Sequence, residues 1–344
     1  MKIALDAMGG DFSPQNPIVG AIQALRDFPD VSIIFVGDED RVRKELGVHD
    51  IKGLESRITY HHASQVVEMG ENGLESVRKK KDSSISRAID LVKEGMADAV
   101  VSAGHTGALV AAATIKLRTL PGIDRAGLGV LIPAEGGVFL LIDGGANIDP
   151  SPKHVVGFAV MGSVYYQSIV GGGEARVGLL NIGSEPSKGT EFCKECYALL
   201  QEAPIRFVGN IEGHGIFKKQ AEVVVCDGFT GNIFLKTVEG FAKSVFSWLK
   251  VELKQSPLRM AGAWLARGAF RSIKNRTSTD EYGGTPLLGV NGICIKAHGN
   301  SSPRALRNAI RAARTAIQLS INTRIVEAMK PLHEKNSSRN TLEA

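Results

Sequence analysis

Ile3–Asp11 (IALDAMGGD), Ala99–Ala108 (AVVSAGHTGA), Val177–Thr190 (VGLLNIGSEPSKGT) and Val223–Asn232 (VVVCDGFTGN) repeat one local design. An apolar, largely β-branched run leads into a glycine-rich polar turn and then a helix-like segment. Phe139–Asn147 (FLLIDGGAN) has the run and the turn, with a less regular continuation. Strand–turn–helix units in series imply a parallel sheet with helices on both faces. Each turn presents backbone N–H groups at a helix start, where unsatisfied donors and the helix dipole stabilise an anion. Several such turns on parallel strands rim one crevice at the carboxyl ends of a sheet.

Around these turns, strand and helix alternate along 344 residues, a length that suits two joined lobes. The expected fold is α/β, a Rossmann-like three-layer α/β/α sandwich in two lobes. Thr119–Asp124 (TLPGID) is a proline-glycine break, so residues 1–122 form the first lobe and 123–299 the second. A closing helix over Arg304–Lys330 returns to the first lobe, so 300–335 is grouped with it, and 336–344 is expected to be a disordered tail. Gly129–Ile132 and Phe139–Ile142 are close enough to form an antiparallel hairpin. Leu287–Lys296 (LLGVNGICIK) reads as two short strands about an Asn-Gly turn.

Composition excludes several classes. The chain is 43% hydrophobic and 22% charged, ordinary for a globular protein. Val155–Gly173 carries no charge but holds five glycines and two tyrosines, which suits a buried core helix better than a membrane span. The amino terminus is interrupted by Asp6 and is not a signal peptide. Cys193 and Cys196 form a CxxC with no second pair or histidine pair, so no zinc site is expected. Four cysteines in all suit a reducing cytosol. No acidic cluster has divalent-metal spacing, and no GxGxxG follows the first strand, which argues against a nicotinamide cofactor. Net charge is +5, but no aromatic-interleaved basic stripe or finger spacing points to nucleic acid.

The candidate chemistry sits in the turns. Asp6, Gly9 and Gly10 come from the first, and Ser102, Gly104, His105, Thr106 and Gly107 from the second. Asn147, Asn181, Gly183 and Thr230 come from the others; all are candidate phosphate- or substrate-binding residues. Lys188, His298, Asp227 and Asn232 are the candidate catalytic residues. Lys188 precedes a helix start, although the Walker order Gly-Lys-Ser/Thr is absent. His105 either donates to phosphate or caps the helix after it. Asp227 either orients a cationic side chain or caps its own helix. Lys296 and His298 follow a strand, and His298 is the preferred titrating group. With no protein nucleophile or metal pattern in view, the chemistry is positioning and electrostatics around an oxyanion.

Pro257–Arg276 is a separate signal. Leu258, Ala261, Leu265, Ala269 and Ile273 lie on one side of a helical projection, with Arg267, Arg271 and Lys274 on the other. Between Lys250 and Arg276 there are seven basic residues and one acidic one, Glu252. Such a helix lies in an anionic membrane interface, or packs on a core with a solvated basic face.

The order of LDAMGGDFSP (5–14), KKDSS (80–84), SAGHTGAL (102–109), IDGGAN (142–147), CDGFTGN (226–232), PLLGVNG (286–292) and KAHGNS (296–301), with LLNIG at 179–183, resembles the bacterial phosphate acyltransferases of phospholipid synthesis nearly end to end. Two departures stand out. His105 replaces the family's usual asparagine, and Asn72-Gly73 replaces an acidic-proline pair. The resemblance implies a fold like isopropylmalate dehydrogenase and phosphotransacetylase, without a cofactor. It implies a homodimer, cytoplasmic and peripheral to the inner face of the cell membrane. Its substrates would be a long-chain acyl carrier protein thioester and inorganic phosphate. A downstream glycerol-3-phosphate acyltransferase would consume the acyl phosphate. A phosphotransacetylase using acyl-coenzyme A, a nicotinamide-dependent dehydrogenase of related fold and a non-catalytic membrane scaffold are the rival readings.

Overall fold

A computed structural model describes residues 1–277 and 283–342, without the side chains of 274–277 and 333–342. The first lobe opens with β1 (Lys2–Asp6), α1 (Gln15–Asp27), β2 (Ser32–Gly37), α2 (Glu39–Leu46) and β3 (Ile58–His62). It continues with α3 (Gly73–Lys79), α4 (Ser84–Lys93), β4 (Ala99–Ser102), α5 (Thr106–Leu117) and β5 (Gly127–Leu128). Then come β6 (Val130–Ala134), β7 (Gly137–Ile142), α6 (Pro152–Ile169), β8 (Arg176–Asn181), α7 (Glu191–Gln201), β9 (Arg206–Glu212), α8 (Gly213–Ile216) and β10 (Val223–Val225). The chain finishes with α9 (Gly228–Leu253), α10 (Pro257–Leu265), α11 (Arg267–Thr277), β11 (Thr285–Leu288), β12 (Ile293–Lys296), α12 (Pro303–Gln318) and α13 (Ile321–Leu342).

Two sheets result. The first has the order β3-β2-β1-β4-β12-β11-β5, the second β6-β7-β10-β8-β9. Alternation along each strand explains the layers. In β1, Ile3 and Leu5 enter one core with α1, α2 and α12, while Ala4 enters the opposite core with α4 and α5. In the second sheet, Leu140 and Ile142 face α6, α7 and α13, while Phe139 and Leu141 face the other side. This is the expected three-layer α/β/α arrangement. The hairpin expected over 129–142 is β6 and β7, paired antiparallel. The charge-free stretch from Val155 lies mostly in α6, whose sequence is buried along most of its length.

The strands near 285–296 depart from the expected division. They lie C-terminal to the second sheet's strands, yet β12 pairs parallel with β4 and β11 pairs antiparallel with β12. Cys294, Ile295 and Lys296 are covered on both faces there, because β12 is an interior strand between β4 and β11. The closing helix is also divided, at Leu319–Ser320, where Ser320 has φ +50. Its first half, α12, packs on α1; Ile321, Ile325 and Met329 of α13 instead enter the second-sheet core. The expected tail from 336 is helical as far as Leu342, and 343–344 lie outside the described residues. The expected single helix over 257–276 is two, α10 and α11, interrupted at Ala266. The side chain of Lys274 lies outside the described residues.

In the first sheet β2 and β4 lie on opposite sides of β1, so the chain reverses direction there. That switch point opens a crevice at the carboxyl ends of β1 and β4. The chain end that completes the crevice is held by α12 against α1. A Cβ added at Gly20 would lie 2.7 Å from Leu306 Cβ and 2.8 Å from the Pro303 carbonyl oxygen. Gly20→Val should therefore destabilise the fold by about 1–3 kcal/mol through overpacking, seen as a lower urea midpoint. An unchanged midpoint would mean the α1–α12 contact yields freely.

Candidate active site

Register places three polar residues in one row at the switch point: Asp6 opposite Ser102, and Ser102 opposite Lys296. All three are buried. Ser102 Oγ donates to Asp6 Oδ2 (2.6 Å) and accepts from the Gly104 amide (3.0 Å), while the Met8 amide donates to Asp6 Oδ1 (3.2 Å). Burial raises the Asp6 pKa, opposed by its hydrogen bonds from Ser102, Ser84 and Met8. Burial lowers Lys296 from 10.5 to about 8, with Asp6 and Asp11 holding it up. Its ammonium donates to the Ala297 carbonyl oxygen.

The glycines of the first turn serve close approach. A Cβ on Gly9 would lie 2.6 Å from both Asp6 Oδ2 and the Gly104 amide. Gly10, at φ +96, sits against the Gly299 carbonyl. Asp6, Gly9, Gly10, Ser102 and Gly104 thus form a brace beneath the site and do not line its cavity. His105 is the N-cap of α5: its Nδ1 accepts from the Ala108 amide at 3.1 Å, which assigns the proton to Nε2. Thr106 and Gly107, the first residues of α5, face the cavity.

The second lobe supplies the opposite wall. Asp143 is fully buried and its carboxylate accepts five hydrogen bonds, from the amides of Leu128, Gly145, Ala146 and Asn147 and from Asn147 Nδ2. The amides of this turn are therefore occupied by a carboxylate of the chain itself. Asn147 Nδ2 also donates to the Ala126 carbonyl at 2.7 Å, so this side chain is a strut and the expectation that it grips an anion is corrected. Asp227 caps α9, accepting from the Thr230 amide (2.8 Å) and hydroxyl (2.7 Å). Of the two roles open to Asp227, the geometry selects the cap; Thr230 is spent on it. The Gly228 amide donates to the Asn147 carbonyl, which pins the start of α9 to the β7 turn and presents Asn232 inward.

Between the walls lies a cavity of about 370 Å³. Thr106, Gly107, Lys296, His298 and Ser301 line one side; Gly144, Gly145, Asn232, Lys236 and Glu239 line the other. His298 is exposed, with its Nδ1 3.5 Å from the Asn300 amide. Asn181, Gly183 and Lys188 stand elsewhere on the rim. They follow β8, separated from β7 by β10, hence roughly 10 Å along the sheet edge at two strand spacings. Asn181 Nδ2 donates to the Lys188 carbonyl within that loop. The cavity does not include them. Sequence patterning passed over Lys236 and Glu239, about two and three turns into α9. It noted Lys296 without ranking it, although a lysine ending an apolar β-strand was the available signal.

The profile of the fatty acid synthesis protein family matches residues 1–324. A phosphate acyltransferase of Akkermansia muciniphila is 50% identical over 339 residues, 96% of this chain and 97% of that one. The chain belongs to the phosphate acyltransferase family. A second phosphate acyltransferase, from Geobacter sp. strain M21, is 47% identical over 96% of this chain and 93% of its own. The EutD phosphotransacetylase of Staphylococcus aureus shares the fold, with a TM-score of 0.56 at 18% identity over 93% of this chain and 94% of that one.

In this phosphate acyltransferase family member, the lowered Lys296 pKa has a measurable consequence. An anion beside the ammonium favours the charged form and raises its pKa above 8. Phosphate titrated into the protein at pH 8.5 should therefore be accompanied by proton uptake, read by calorimetry in buffers of different ionisation enthalpy. Lys296→Met should abolish that uptake; equal uptake in the variant would place the titrating group elsewhere.

Proposed function

We propose that this protein transfers a long-chain fatty acyl group from an acyl carrier protein thioester to inorganic phosphate, in phospholipid synthesis. The observation that carries the reading is the cavity, which joins a buried lysine and a helix N-terminus to an apolar wall. A phosphate oxygen attacks the thioester carbonyl carbon, the tetrahedral oxyanion collapses, the C–S bond breaks, and acyl phosphate and the carrier thiol result. A thioester is already activated, so positioning and charge stabilisation suffice. Lys296 and the first-turn amides of α5 hold the phosphate. Asn232 faces them across the cavity and orients the acyl carbonyl. The proton that phosphate releases as the acyl bond forms ends on the departing sulfur, to which His298 Nε2–H donates a hydrogen bond. Lys188, farther along the rim, guides the donor's anionic arm.

The carrier is acidic, which suits the exposed Arg78 and Lys81 beside α3. The reading that the protein acts at a bilayer, as a peripheral homodimer, draws on an arm of largely exposed helices, α9 to α11. In α9 only Gly228 and Gly231 are buried. Leu258, Ala261, Leu265, Ala269 and Ile273 are all exposed, Leu258 and Leu265 at 83% and 76%. Among the described residues no helix is long and apolar enough to cross a membrane. A helical arm lying on anionic lipid would release acyl phosphate where a glycerol-3-phosphate acyltransferase consumes it.

Palmitoyl carrier protein and phosphate should yield acyl phosphate, detected as a coloured hydroxamate; intact thioester would refute the activity. Lys296→Met should lower kcat/KM for phosphate about 100-fold, the scale of one lost oxyanion donor. Lys188→Ala should lower kcat/KM for the acyl carrier about tenfold, a loss worth roughly 1.4 kcal/mol, and wild-type kinetics would remove it from the site. Leu265→Glu should release the protein from anionic vesicles; undiminished co-sedimentation would contradict the membrane role.

A further inference from the structure

The anion end of the cavity opens into an apolar sector that phosphate does not use. Leu128, Val130, Leu131 and Leu235 line it. Gly144 stands at the junction, where a Cβ would lie 2.8 Å from Val130 Cγ2 and 3.2 Å from Leu235 Cδ1. The facing wall is one stripe of α9, since Asn232, Leu235, Lys236 and Glu239 are three and four residues apart. At about 30 Å³ for each water-sized group, the cavity holds roughly a dozen such groups. Phosphate takes several of these places, so roughly eight carbons of an acyl chain fit and the remainder must leave.

The exit follows from the same helix. Beyond Glu239, the stripe continues as Ala242, Phe246, Leu249 and Leu253, again three and four apart and each half-buried. Phe241 and Trp248, around the helix, are far more exposed, at 65% and 61%. We infer that α9 is the track for the acyl chain. The carbons nearest the thioester sit in the collar of Val130, Leu131 and Leu235. The distal carbons pass Glu239 and lie along Ala242–Leu253 toward the arm. This rests on the acyltransferase reading and adds to it the residues that measure chain length. Apolar area stabilises only what it covers, so each residue of the outer stripe contributes to long donors and nothing to short ones.

The test compares octanoyl and palmitoyl carrier protein as donors to the full-length protein, without vesicles. In Leu235→Trp, which narrows the collar, and in Phe246→Asp, which charges the outer stripe, the palmitoyl-to-octanoyl ratio of kcat/KM should fall at least tenfold. Phe246 is half-buried on the arm helix, so its variant serves even where Leu235→Trp misfolds. A wild-type ratio in Phe246→Asp, with both donors active, overturns the track while leaving the acyltransferase intact. Wild-type protein that makes no acyl phosphate from either donor instead overturns the parent reading, and the track with it.

Discussion

The site depends on a lysine ammonium held inside the protein at the end of a central strand. Lys296 is 7% exposed, and a charge so placed is costly unless opposite charge or donors' partners surround it. Asp6 on the neighbouring row and Asp11 in the adjoining turn supply part of that compensation. Compensation is incomplete, because the pKa still falls to about 8. In the proposed reaction an arriving phosphate dianion completes it. Near neutral pH the group remains mostly charged, so the cavity carries positive charge before any substrate enters.

Everything around the lysine keeps that preparation rigid. Ser102 ties Asp6 to the turn that starts α5. Glycines at 9, 10 and 104 let three turns stack closer than side chains would permit. Across the cavity Asp143 uses its own carboxylate to organise a turn that resembles an anion cradle, and the start of α9 is pinned to that turn. One lobe therefore sets the start of α5 at the cavity, and the other builds a wall with the same kind of turn. Because β11 and β12 return to the first sheet and α13 packs on the second, the chain laces the lobes together around the cavity.

Much of this was legible in the residues. Alternating apolar runs and glycine turns located the strands, their parallel pairing and the α5 turn, and the ordered motifs identified the family. Strand order was less accessible. Ile293–Lys296 reads as a short apolar run wherever it pairs, and only long-range burial places it beside β4. For the same reason Lys188, credible as a phosphate cation in isolation, proves to lie outside the cavity lining. Asp227 and Asn147 have side chains that serve caps and struts as readily as ligands, so their residue type alone could not separate the roles. The break at Ser320 falls where no proline or glycine announces it, and the one at Ala266 falls two residues before Gly268, a residue that helices also carry.

The central claim is that the anion lies between Lys296 and the start of α5. A crystal of the protein soaked in arsenate, a phosphate mimic marked by its anomalous scattering, tests it most directly. The account predicts a single strong peak within hydrogen-bonding reach of Lys296 Nζ and the Thr106–Gly107 amides. A peak confined to the Lys188 loop, with the interlobe cavity empty, would contradict it.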